Sequence, residues 1–128
     1  MQIRYTNNLT ANLQGIEAFW EECQFPNGFD RLVDELSEPV IANLKRHPRL
    51  GRNFLQRQTK SIETQARLQK LDALLSTLNT DIKAAEIREY VMTDYLLLYA
   101  LVSDVIYLLA IKHQKQLSFA LDDVLSET

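Results

Sequence analysis

Cysteine, histidine and glycine are scarce: one Cys, two His and three Gly in 128 residues. A lone Cys23 forms no internal disulfide, so a secreted scaffold held by disulfides is excluded. Two histidines and one cysteine far apart in sequence make no metal signature, and no glycine-rich loop exists to cradle a phosphate. Neither metal nor cofactor is expected. Nothing in the sequence fixes a histidine beside Cys23 as a thiol nucleophile would need. The N-terminal MQIRYTNN lacks the apolar segment of a secretory signal, which points to the cytoplasm. With only three prolines, 46% hydrophobic and 24% charged residues, the chain is neither low-complexity nor disordered. Its length fits a single domain, 1–128, around one core.

The one long apolar run, YLLLYALVSDVIYLLAI from Tyr95 to Ile111, carries Ser103 and Asp104 at its centre. An unpaired carboxylate in mid-membrane costs about 3 kcal/mol, so the run is expected to be two strands meeting at a wet turn, with no membrane partner. The formal net charge of -3 disfavours general nucleic-acid binding, which draws its affinity from Lys and Arg on phosphates. Charge is nonetheless uneven. Glu17, Glu21, Glu22, Asp30, Asp34, Glu35 and Glu38 load the first helical region, whereas Lys45, Arg46, Arg49, Arg52, Arg57 and Lys60 follow with no acidic residue among them. That run is either a solvated surface or a binding patch.

Ile3 to Thr6, bounded by Asn7 and Asn8, has the pattern of a short strand. Thr10 offers an N-cap hydroxyl to a helix with Leu13, Ile16, Phe19 and Trp20 at helical spacing. Asn27 offers another to a helix striped by Phe29, Leu32, Val33, Leu36, Val40, Ile41 and Leu44, with a kink expected at Pro39. The Pro26-Asn27-Gly28 turn between them makes a helical hairpin, and His47-Pro48 closes it. Leu68, Leu71, Leu75 and Leu78 predict a third helix over about 60–78. From Glu86 the period shortens: IREYVMTD, YLLLYALV and VIYLLAIKH are β-rich and separated by breaks too short for parallel crossovers, so they form an antiparallel meander. Both faces of the last two strands are apolar, and helices or a partner are expected to cover them.

The end of the last strand runs YLLAIKHQKQLSF, passing from core residues into Lys112, His113, Gln114 and Lys115 before Leu117 and Phe119. In a regular strand Val105, Tyr107, Leu109, Ile111 and His113 share one face, and Ile106, Leu108, Ala110 and Lys112 the other. A histidine beside two lysines is equipped to handle a proton or a phosphate, and equally marks a strand surfacing into solvent.

A short strand, a helical hairpin closing on HPRLGR, and a meander ending in IYLLAIKHQKQLSF resemble the RelE/ParE superfamily of type II toxins. The resemblance covers Met1 to Arg52 in the order of elements and Glu86 to Phe119 in residue pattern; 53–85 is not explained by it. It implies an α+β fold with an N-terminal strand and helical hairpin, an extra third helix, and a C-terminal antiparallel three-stranded meander in one sheet.

Two activities go with that resemblance. ParE-like members poison DNA gyrase without enzymatic chemistry; RelE-like members cleave messenger RNA on the ribosome. The cleaving branch commonly places an Arg early in the second meander strand, where this chain reads Tyr95-Leu96-Leu97-Leu98-Tyr99. The expectation is therefore a gyrase inhibitor that arrests growth, neutralised by a cognate antitoxin in a hetero-oligomer, with no specific nucleic-acid binding outside that complex and no catalytic residue. Its target- or antitoxin-binding residues would be Lys112, His113, Lys115, Arg49, Arg52, Leu117 and Phe119. The alternatives are an endoribonuclease using His113, Lys112 and Arg88, and a detoxified member that only binds its antitoxin.

Overall fold

The computed structural model describes residues 2–54, 62–78, 85–116 and 119–121, with side chains in the 62–77 helix described from 69 onward. Strand β1 (Gln2–Tyr5) is followed by helix α1 (Asn7–Glu22), α2 (Asn27–Glu35), a wider π-type turn (Leu36–Val40), α3 (Ile41–Arg46) and the two-residue strand β2 (Arg52–Asn53). Helix α4 (Ile62–Thr77) precedes β3 (Glu86–Val91), β4 (Tyr95–Val102) and β5 (Val105–His113). The sheet order is β1-β5-β4-β3-β2. The meander is antiparallel as its short connections require, while β1 lies parallel to β5, with Gln2 opposite Val105 and Tyr5 opposite Leu108. The fold is thus α+β on a five-stranded mixed sheet. The Tyr95–Ile111 run is two strands turning at Ser103 and Asp104, Ser103 with φ 53, and no helix among the described residues is long and apolar enough to cross a membrane.

The doubly apolar strands are explained by two cores, one on each face. Leu9 of α1, Leu32 of α2, Leu36 and Val40 of the π-type turn and Leu44 of α3 pack with Leu97, Tyr99, Leu101, Ile106, Leu108 and Ile111. On the other face Leu71, Leu74 and Leu75 of α4 pack with Ile87, Leu98, Ala100, Leu109 and Ala110. Helix α4, within the 53–85 stretch that the resemblance leaves unexplained, therefore covers an apolar sheet face. Leu75 is fully buried there, and truncating such a leucine to Ala costs about 2–5 kcal/mol.

Three local expectations are corrected. Thr6, not Thr10, caps α1: its hydroxyl accepts from Leu9 N at 3.2 Å and donates to Leu108 O at 2.9 Å, tying the helix start to β5. Asn27 makes no cap bond, since Pro26 precedes the helix with helical dihedrals. The turn between α1 and α2 instead uses Gln24 at φ 58, and Gly28 lies inside α2, where any Cβ would collide with the Trp20 ring. Pro39 does divide the helical segment, at a residue Glu38 with extended dihedrals.

The alternation expected along β5 also breaks. Leu98 pairs with Ala110 and Tyr99 with Leu108, leaving Leu109 as an extra, bulged residue. Beyond the bulge the faces exchange, so Ile111 joins Ile106 and Leu108, while Ala110 joins Leu109 and Tyr107. A bulge leaves polar backbone groups outside the ladder, and α1 supplies their partners. Asn8 Nδ2 donates to Leu109 O at 2.9 Å, and Ile111 N donates to Asn12 Oδ1 at 3.0 Å. Polar side chains of α1 thus finish the sheet edge where β1 ends.

Candidate functional site

The HPRLGR loop is held against the sheet by Tyr99, a fully buried residue in the middle of β4. Its hydroxyl accepts from Gly51 N at 2.9 Å and donates to Pro48 O at 2.7 Å, and burial pushes the phenol pKa up. Arg88 Nη1 donates to Gly51 O at 2.6 Å and to Arg49 O at 3.3 Å. A Cβ on Gly51 would meet the Tyr99 hydroxyl at 2.8 Å and Glu89 O at 2.9 Å, so only glycine fits under the loop. The two arginines expected to form a binding patch turn to carboxylates on β3. Arg49 forks onto Glu86, with Nη2 to Oε1 at 2.8 Å and Nε to Oε2 at 2.9 Å. Arg52 Nε donates to Glu89 Oε1 at 2.7 Å. The hydrogen bond from Arg49 holds the Glu86 carboxyl below its usual range and raises the guanidinium in turn.

The KHQK stretch divides into core and surface. Lys112 is buried, with Nζ donating to Gln116 O at 2.6 Å and lying 5.4 Å from the centre of the Phe119 ring. Phe119 is also buried, 6.0 Å from Phe54 in an edge-on pair. Lys112 is not the exposed contact that the sequence led us to expect, and of the two courses open to the Leu117, Phe119 and Leu121 alternation, packing back or pairing with a partner, Phe119 and Leu121 take the first, on the α4 face. Leu117, with Arg57 and Lys60 of the basic run, lies outside the described residues. Gln114 is pinned to the β3–β4 turn, with Nε2 donating to Met92 O at 2.9 Å. Lys115 is exposed. His113 is half-buried; its Nδ1 accepts from Lys115 N at 3.1 Å and its ring stands edge-on to Tyr95 at 5.3 Å.

Beside His113 lies a groove of about 580 Å³ between α1 and the end of β5. Gly15, Ile16, Phe19 and Trp20 form one wall, and Tyr95 and His113 the other. Trp20 Nε1 donates to the Tyr95 hydroxyl at 3.1 Å. Phe19 is 55% exposed, and its ring leads through Trp20 to Phe25, which carries the Arg31 guanidinium at 5.7 Å. Sequence reasoning took Trp20 and Tyr95 for core residues and missed the groove. The available signal was Gly15 amid the helical stripe, a residue poor for helix formation whose missing side chain leaves the groove open.

The structure does not bring His113, Lys112 and Arg88 together. Lys112 and His113 leave β5 on opposite faces, toward Phe119 and Tyr95 respectively. Arg88 is opposite Tyr99 on β4 whereas His113 is opposite Tyr95, a separation of about 13 Å along the strand and two strand spacings across. Among the described residues no group of three or more His, Cys, Asp or Glu is placed to hold a metal ion, and Cys23 is exposed and unpaired with any disulfide partner. Comparison with protein-family models, with curated proteins and with solved structures gave no match to this chain.

Proposed function

We propose that this chain is a toxin of the RelE/ParE type that acts by binding DNA gyrase and is opposed by a cognate antitoxin. The support for binding over RNA cleavage is the commitment of the cations. Cleaving RNA needs a base, an acid and a cation converging on one phosphate. Here the Lys112 amine is spent on Gln116 O and the Phe119 ring, and Arg88 clasps the backbone of the HPRLGR loop. His113 is left without either beside it. An inhibitor needs only a complementary surface, and the exposed Lys115, the outer edge of His113 and the Phe19, Phe25 and Arg31 ridge provide one rich in the residue types that anchor protein interfaces.

The test is supercoiling of relaxed plasmid by purified gyrase with ATP, titrated with the chain, beside messenger cleavage on programmed ribosomes. Blocked supercoiling or trapped cleaved DNA with intact messenger is the expected result. Cut messenger with normal supercoiling overturns the proposal in favour of ribonuclease action, and no effect on either leaves a member that only binds its antitoxin.

A further inference from the structure

From the groove between α1 and β5 we infer a binding site for a neutral, flat aromatic molecule that presents a carbonyl oxygen. This goes beyond the gyrase reading and does not depend on it. The cavity of about 580 Å³ falls in the range of small-molecule sites. Its walls are mostly apolar, with Ile16, Phe19 and Trp20 on the helix side and Ile111 across from them. Of the other polar lining residues, Asn12 is engaged by Ala120 O and Ile111 N and Gln116 has a partner of its own, so the groove matches a ring rather than a sugar or phosphate. Two polar groups sit side by side in the far wall. Tyr95 is only 6% exposed, and its hydroxyl oxygen accepts from Trp20 Nε1 while its own hydrogen has no acceptor among the described residues. In His113, Nδ1 accepts the Lys115 N–H, which puts the proton of the neutral ring on Nε2. The wall therefore offers two donors, and a carbonyl with two lone pairs accepts both.

The charge of the ligand follows from the lining, which contains no Asp, Glu, Lys or Arg. A carboxylate or an ammonium would be desolvated there without a counter-charge, a cost that a neutral carbonyl avoids. In the α1 wall Gly15 has nothing within 4 Å of where a Cβ would be, which leaves room for the ring between Phe19 and the strand end.

The indole N–H of Trp20, the single tryptophan, gives one unique signal in ¹⁵N-resolved NMR spectra of the full chain. Chromone, a flat neutral bicyclic ketone, is titrated against 1-methylindole, which lacks an oxygen acceptor, and indole-3-carboxylate, which is charged. Chromone is expected to move the Trp20 signal saturably, with each comparator about fivefold or more weaker. Gly15→Leu fills the groove from an exposed helix position that favours leucine, and is expected to abolish the shift while the fold stays intact. Tyr95→Phe removes one of the two donors and is expected to weaken chromone about fivefold while leaving 1-methylindole unchanged. No saturable shift with chromone up to about 1 mM, equal or tighter binding of either comparator, or undiminished binding by Gly15→Leu overturns the site. The ligand series on the unaltered chain decides the matter even if Tyr95→Phe misfolds.

Discussion

The middle of β4, at Tyr99, and its first residue, Tyr95, treat polar groups in opposite ways. Around Tyr99 the phenol, Arg88, Arg49 and Arg52 each meet an acceptor in the HPRLGR loop or on β3. At the Tyr95 end the phenol donates to no acceptor among the described residues, His113 lines a groove, and Lys115 is exposed. Both regions look cationic and aromatic in sequence. The difference is whether a complementary group arrives from elsewhere in the chain, so the first is a clasp for the fold and the second is a surface with capacity to bind.

The clasp should give the largest effects on stability. Gly51→Ala forces a methyl group against the Tyr99 ring and the Glu89 carbonyl, and urea denaturation is expected to show a loss of about 3 kcal/mol. Tyr99→Phe leaves the buried Gly51 N–H without its acceptor, for a loss of about 2 kcal/mol. If both variants unfold with the native midpoint, the loop is not a clasp.

Lysines three residues apart sharpen the comparison. Lys112→Ala removes the bond to Gln116 O and the ring contact with Phe119, and should cost about 1–2 kcal/mol. Lys115→Ala should stay within about 0.5 kcal/mol of the native chain. Equal stabilities would mean that Lys112 is a surface residue after all. Any loss of toxicity on changing Lys112 would accordingly reflect folding, whereas a loss on changing Lys115 would reflect contact.

The smallest expected effect is that of pH on the Arg49–Glu86 pair. Arg49 holds the Glu86 carboxyl below its ordinary value of 4.5. The folded state thus binds that proton less readily than the unfolded one, and the pair's contribution is fully present above about pH 4.5 and lost as pH falls through the lowered value. Both side chains are largely exposed, so the slope is shallow and fades with salt. Stability measured between about pH 5 and pH 3 should fall slightly less in Arg49→Ala than in the native chain. A steeper fall in the variant would show that the carboxylate is stabilised by something other than Arg49.

Much of this architecture is legible in the residues, because binary patterning is local. The meander strands, the turns at Thr93-Asp94 and Ser103-Asp104, the break at Pro39 and the stop at His47-Pro48 each follow from side-chain period or backbone chemistry within a few residues. What escaped were the long-range choices. Thr6 wins the cap over Thr10 because its hydroxyl also bonds Leu108 O, 102 positions away. The bulge at Leu109 depends on Asn8 and Thr6 taking its carbonyl, and it reverses the faces that strict alternation assigns. Arg49 and Arg52 read as a free patch because Glu86 and Glu89, 37 residues on, come beside them only when β2 pairs with β3. Lys112 reads as surface because the alternation of Leu117, Phe119 and Leu121 suits a segment that packs back as well as one that pairs with a partner, and only the fold puts Phe119 against the lysine. Composition names the groups that have charge; the fold decides which of them remain available.

The most direct test is gyrase supercoiling titrated with three proteins: the native chain, Lys115→Glu at the open end, and Arg49→Ala with Glu86→Ala at the clasp. The account predicts inhibition by the native chain, undiminished inhibition by the double variant, and an inhibition curve shifted to about tenfold higher concentration for Lys115→Glu. Full activity of Lys115→Glu with loss in the double variant, or no inhibition by the native chain, would contradict it.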